Sequence, residues 1–130
     1  MIEIYTDGAY SSARKQGGLA VIFLKDKKQI AQFSKAYKNT TNNRMELLAV
    51  IIGLESIHSN DDIVVYSDSM YVIGTATMNW QRKKNADLWN RFYKIYNPEK
   101  HKFIHVRGHA DNIYNNKCDK LAVMESQWEL

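Results

Sequence analysis

The sequence predicts an α/β fold, and three observations carry that prediction. Apolar runs with strand character occur at Met1–Thr6, Leu19–Leu24, Gln29–Tyr37, Ile63–Tyr66 and Lys102–Val106. Helical periodicity governs Asn43–His58, Met70–Met78, Ala86–Tyr96 and Tyr114–Gln127. The stretch between the first strand and Ile63–Tyr66 holds a strand pair and a helix. That is long enough for a crossover laying the two strands parallel and adjacent.

Taken in order, Met1–Thr6 alternates Ile2 and Ile4 against Glu3 and Tyr5, the pattern of a half-buried strand. Gly17-Gly18 opens the apolar run LAVIFL, and the lysine-rich KDKKQ turns the chain into QIAQFSKAY. These three segments read as an antiparallel meander. Along Asn43–His58, Met45, Leu48, Ala49 and Ile52 mark one helical face, while Leu47, Val50, Ile51 and Leu54 fill most of the rest. A helix apolar nearly all round is buried on most sides, so this one is expected to be central. IVVY is a continuous apolar strand of the kind buried on both faces of a parallel sheet. Ser67-Asp68-Ser69 offers caps for MYVIGTATM. The following helix carries Leu88, Trp89, Phe92 and Ile95 on one side and should end at Asn97-Pro98. KFIHV is the last strand, and Cys118, Leu121, Ala122 and Glu125 fall at helical spacing in the terminal helix. The order is βββαβααβα.

Composition sets bounds around this order. The chain has 130 residues, 45% apolar and 25% charged, with a net charge of +4 and a pI near 9.1. That size suits one domain spanning 1–130, and the mild basic excess permits a polyanionic partner. The lysines at 25–28 read as a solvated loop. Cys118 is the sole cysteine, which excludes an intrachain disulfide and reads as a small core residue. MIEIYTDG lacks the pattern of a signal peptide, and the longest apolar run, Leu47–Ile52, is too short to span a bilayer. A cytoplasmic monomer without membrane contact is the expectation.

The chemistry is suggested by four acids in separate segments: Asp7 in YTDG, Glu46 in TTNNRMEL, Asp68 in VYSDSMYV and Asp119 in NNKCDKLA. The strand order puts Asp7 and Asp68 at the carboxyl ends of parallel neighbours, where open α/β sheets bind ligands. Glu46, in the first turn of the central helix, could face the same edge, and Asp119 could lean in from the last helix. Converging carboxylates repel one another unless a cation neutralises them. An all-oxygen set suits Mg²⁺ or Mn²⁺, and no Cys/His cluster offers a zinc site. Each acid also has a local explanation. Asp7-Gly8 is a good hairpin-turn dipeptide. Glu46 stands three residues after Asn43, the spacing of a capping box. Asp68 suits an N-cap, Asp119 a solvated helix face, and His109 an exposed loop.

The flanking residues decide between these readings. TDG, TTNNRMEL, YSDSMYV, VRGHADN and NNKCDKLA occur in that order, and together they resemble type 1 ribonuclease H over Met1 to about Met124. The resemblance implies a ribonuclease H-like fold: a mixed five-stranded sheet, three antiparallel strands and then two parallel, with helices on both faces. It implies an endoribonuclease that hydrolyses the RNA strand of RNA–DNA hybrids, leaving 5′-phosphate and 3′-hydroxyl ends. By motif match, Asp7, Glu46, Asp68 and Asp119 would hold two Mg²⁺ ions, for which Mn²⁺ could substitute. Asp7 would bridge them, and His109 would assist proton transfer or product departure. The expected substrate contacts are Gly8, Thr41, Asn42, Asn43, Met70 and Trp80.

The chain departs from the family at two places. Where some members carry a glycine/proline-rich loop after TDG, this chain has AYSSARKQGG. The long basic, Trp-rich handle of well-known bacterial members is reduced to NWQRKKNADLW, with Trp80 beside Arg82–Lys84. Such a minimal form implies a weaker and less salt-dependent grip on the hybrid. A DNA nuclease of the same superfamily and a non-catalytic hybrid-binding module are the rival readings. The loop TTNNRMEL and the short length disfavour the first, and the full set of acids disfavours the second.

Overall fold

A computed structural model describes residues 1–58, 60–78, 84–106 and 112–128. Its elements are β1 (Ile2–Ser11), β2 (Gln16–Lys25), β3 (Lys28–Lys38), α1 (Asn42–Glu55), β4 (Ile63–Ser67), α2 (Met70–Thr77), α3 (Ala86–Ile95), β5 (His101–His105) and α4 (Ile113–Gln127). The strands form one sheet in the order β3-β2-β1-β4-β5. β1, β2 and β3 pair antiparallel, whereas β1–β4 and β4–β5 pair parallel. The mixed sheet and the element order agree with the sequence.

Two apolar layers cover the sheet. On one face Ile4, Leu19, Val21 and Val65 pack with α1, α2 and α3 through Leu47, Val50, Ile51, Val72, Trp89 and Phe92. On the other face Ala20 and Ile22 meet Cys118 and Ala122 of α4, flanked by Tyr5, Ala9, Tyr114 and Leu121. Helix α1 is buried from Met45 to Val50 without a break, because it lies between the sheet and α3. Cys118 is a core residue, its thiol donating to the carbonyls of Tyr5 and Ala20. Burial, and then the charges of the four acids, push that thiol well above its ordinary pKa and make it a poor nucleophile.

The first strand is longer than its apolar alternation predicts. It continues through Asp7-Gly8 to Ser11, with Asp7 opposite Ala20 and Gly8 opposite Leu19. The turn falls at residues 12–15 instead, where Lys15 takes φ 52°. Most of AYSSARKQGG is therefore strand. The next hairpin closes on Asp26-Lys27, both at positive φ (50° and 68°), as a two-residue turn matching the sheet's twist requires. Lys25 and Lys28 are its paired strand ends, and Lys27 reaches back to Glu3 at 3.1 Å. This basic cluster is thus a hairpin tip with one ion pair.

Helix α4 sits close against β2, and Gly18 is where the two meet. A Cβ at Gly18 would run into the Ala122 carbonyl and would come within 2.6 Å of the Ser126 amide nitrogen. Nearby, the Gln16 side-chain amide donates to the carbonyls of Glu125 at 2.8 Å and Trp128 at 2.6 Å, satisfying acceptors at the end of the helix. Because the obstruction at Gly18 is backbone, Gly18→Ala should lift α4 from the sheet and cost roughly 3 kcal/mol. Urea unfolding reads this as a lower midpoint at unchanged slope. An unshifted midpoint would show that α4 is free to move.

Candidate active site

Local structure answers the bland readings of Asp7, Glu46 and Asp68 in turn, while Asp119 is an exposed residue of α4. Asp7 lies within a strand, so it is not a turn residue. The N-cap of α1 is Thr41, whose hydroxyl accepts the Arg44 amide at 3.1 Å. The predicted Asn43–Glu46 capping box therefore does not form, and Glu46 points into the protein at 5% exposure. The N-cap of α2 is Ser69, which accepts the Val72 amide at 3.2 Å. Asp68 is thus left in the corner between β4 and α2. In both helices a neighbouring hydroxyl takes the capping role and the acid remains available.

Asp7 and Glu46 are brought together through Gly8. A Cβ there would lie 2.5 Å from the Glu46 nitrogen and 2.6 Å from the Met45 carbonyl carbon, so only glycine lets α1 approach β1 this closely. The β1–β4 ladder ends at Tyr5–Tyr66, which leaves the Gly8 amide without a strand partner on that edge. The amide donates instead to Asp7 Oδ1 and to Glu46 Oε1, both at 2.9 Å. The other oxygens, Asp7 Oδ2 and Glu46 Oε2, are buried with no hydrogen-bond partner among the described residues. Buried carboxylate oxygens are costly to leave unpaired.

Asp68 completes the cluster, since one oxygen of each of Asp7, Glu46 and Asp68 lies within 4.8 Å of the others. Asp119, exposed on α4, lines the same cavity of about 410 Å³ with Gly8, Asn42, Asn43, Ser69, Met70 and Tyr71. Burial above all, then the charges of Asp68 and Asp119, push Asp7 up to about 8. Glu46 is raised well above the usual carboxylate range by burial and by Asp7 and Asp68. Burial and the charge of Asp119 also raise Asp68. Without added positive charge, these acids hold protons that free carboxylates would release. Burial, not hydrogen bonding, dominates each shift.

All four predicted acids and Gly8, Asn42, Asn43 and Met70 thus share one cleft, while Thr41 caps the helix at its rim. His109 and Trp80 lie outside the described residues. The sequence reading missed Tyr71, whose hydroxyl accepts from Asn85 Nδ2 and Trp89 Nε1, each at 2.9 Å. It also missed His105, whose ring meets the Asp68 carbonyl at 3.2 Å. Tyr71 could have been found as the polar-tipped neighbour of Met70, but nothing in KFIHV signals the role of His105.

Comparisons with known proteins agree with this geometry. A family model described as RNase H matches residues 1–127. A ribonuclease H of Trichodesmium erythraeum is 41% identical over 140 residues, covering 97% of this chain and 88% of that protein. One from Thermoanaerobacter sp. strain X514 is 42% identical over 138 residues, covering 94% and 87%. Among solved structures, LC11-RNase H1 in complex with an RNA/DNA hybrid superposes with a TM-score of 0.78 at 23% identity, covering 95% of each chain. The prototype foamy virus protease–reverse transcriptase matches with a TM-score of 0.76 at 21% identity, covering 99% of this chain and 21% of that one. The chain belongs to the ribonuclease H family of hydrolases.

Proposed function

We propose that this chain is an endoribonuclease that hydrolyses the RNA strand of RNA–DNA hybrids, with Asp7, Glu46, Asp68 and Asp119 holding two divalent cations, Mg²⁺ or Mn²⁺. The observation that carries the reading is the pair of buried, unpartnered oxygens on Asp7 and Glu46, two acids that line one cleft with Asp68 and Asp119. Hard divalent cations match that donor set. When bound, they would neutralise the acids, activate a water and stabilise the leaving oxygen.

The protein's own share is orientation. The Gly8 amide fixes one oxygen of Asp7 and one of Glu46, and the second oxygen of each is left without a partner among the described residues. The corner after β4 presents Asp68, and α4 presents Asp119 from the opposite face of the sheet. Hydrolysis by in-line attack at the scissile phosphorus, with the 3′-oxygen leaving, gives 5′-phosphate and 3′-hydroxyl ends. His109 is assigned to proton transfer or product departure on its motif alone.

Substrate choice needs groups that read a 2′-hydroxyl in a shallow minor groove. The exposed amides of Asn42 and Asn43 provide donors and acceptors at the cleft mouth. The Thr41 hydroxyl spends its acceptor role on the Arg44 amide, which leaves its proton for a phosphate oxygen. Met70, 37% exposed, offers only apolar contact to sugar or base edges. Trp80 would add stacking or backbone contact beside Arg82–Lys84. The hybrid bound by LC11-RNase H1 supports this substrate class.

The reading is tested with matched RNA–DNA hybrid, double-stranded RNA and double-stranded DNA in Mg²⁺. The RNA strand of the hybrid should be cut, with no cutting after Asp7→Asn. Cutting of DNA, or of nothing, would select a rival function. In binding assays without turnover, Asn42→Ala should weaken hybrid affinity more than Asp7→Asn does, and equal losses would contradict the assigned division between reading and chemistry. Stability supplies a third test. Asp7 titrates at about 8 when folded against 3.8 as its ordinary value, so between those limits the folded state keeps a proton that the unfolded chain has lost. Raising the pH through that window therefore destabilises the metal-free protein. In EDTA, Tm should fall from about pH 5 to about pH 8, and Mg²⁺ should raise Tm more at the higher pH. A pH-independent Mg²⁺ effect would argue that these acids are not its ligands.

A further inference from the structure

The backbone around Asp68 is held at every residue, and at Asp68 itself the hold is a side chain. Ser67 is pinned by its place opposite His105 and by the Val106 amide, which donates to the Ser67 carbonyl at 2.9 Å. The Ser69 amide donates to Ser67 Oγ at 3.1 Å, and Ser69 in turn caps α2 and accepts the Ile73 amide at 3.1 Å. Between them stands the Asp68 peptide, where the strand has ended and the helix has not begun. Its carbonyl is met by the ring of His105, with Nε2 at 3.2 Å. A carbonyl can only accept, so Nε2 carries the proton in this contact.

The placement of His105 follows from the sheet. It is the last residue of β5 and shares a face with Phe103, which packs against the core beside Phe92 and Tyr96. At the strand's end that face has run past the core, so the ring is exposed and lies over the start of α2. The pairing of β4 with β5 therefore delivers an imidazole N–H to the one peptide whose tilt sets the direction of the Asp68 carboxylate.

We propose that His105 is a positioning residue, which fixes the Asp68 corner so that its carboxylate meets the other acids at ligand distance. It is distinct from His109 and has no part in proton transfer. The inference rests on the reading of Asp7, Glu46 and Asp68 as cation ligands. Metal–ligand distances tolerate only about 0.2 Å of error, so a small rotation of this peptide is enough to weaken the site. Groups that orient metal ligands contribute about 10–100-fold to affinity, and the exposure of this contact places it at the lower end.

Calorimetric titration of the full chain with Mn²⁺ and with Mg²⁺ tests this directly. Wild type should bind, His105→Phe should bind about tenfold more weakly, and His105→Gln, whose amide N–H restores a donor, should recover most of the loss. Circular dichroism and Tm should be unchanged in both variants. At saturating metal the KM for hybrid should stay within about twofold of wild type. If wild type takes up no divalent cation, the cation reading fails and the proposal falls with it. If wild type binds and His105→Phe binds equally well, the positioning role alone is overturned. Equal losses in the Phe and Gln variants would overturn it too, since a donor would then be irrelevant. If His105→Phe misfolds, His105→Gln decides alone: wild-type affinity supports the donor role, and a tenfold loss refutes it.

Discussion

Everything at the cleft depends on how closely α1 approaches β1 at Gly8. The approach is allowed by the missing side chain and is used through the amide. Any Cβ at this position would meet the backbone of Met45 and Glu46 well inside van der Waals distance. The same residue lies beyond the end of the β1–β4 ladder, so its N–H is free to serve two carboxylates rather than one carbonyl. Had β4 been longer, that N–H would have been consumed by the sheet. The mismatch in strand length is thus what converts a structural contact into a site.

Among the described residues, no ion pair relieves the electrostatic cost of this arrangement. The described ion pairs are Lys27–Glu3, Arg44–Asp87, Arg91–Glu55 and Lys100–Asp62, and none involves the acids of the cleft. Arg44 is the telling case, because it stands two residues from Glu46 in the same helix. It turns away and makes a two-point contact with Asp87 at 2.8 and 2.9 Å, with a further bond to Asn85 at 3.3 Å. The fold places a guanidinium nearby and spends it on joining α1 to α3 rather than on the acids of the cleft. A site meant to be neutralised by its own arginine would look otherwise. The apolar layers on both faces of the sheet carry the stability that the cluster costs.

Much of this was legible in the sequence, for reasons that differ between elements. The burial of α1 was readable because apolar residues surround its whole circumference, and IVVY because continuous apolar strands belong inside parallel sheets. The acids were recognisable from their flanking motifs. The length of β1 was not, since Asp7-Gly8 has turn chemistry and only its pairing with Leu19 and Ala20 overrides that preference. Ser69 was among the caps that Ser67-Asp68-Ser69 offered, whereas the cap of α1 is Thr41 and not Asn43. The difficulty has a physical source: every candidate side chain can accept an amide. His105 was invisible because its contact joins strand ends 37 residues apart.

The acids of the cleft and the side chains at its mouth differ in how firmly they are set. Asp7 and Glu46 sit on a central strand and a buried helix, where close packing surrounds them. Asn42, Asn43 and Met70 stand exposed at helix starts. Even so, α2 is not free beside them. The Tyr71 hydroxyl accepts from both Asn85 and Trp89, and its ring packs edge-on against the buried Trp89 at 5.9 Å. Arg44 closes the loop by bonding Asn85 from α1. The cleft mouth therefore consists of exposed side chains on helix ends that are themselves cross-braced. Under the proposed function, such an arrangement would follow the variable sequence of a duplex through side-chain rotation while the acids stay fixed, which suits recognition of sugar and shape rather than base identity.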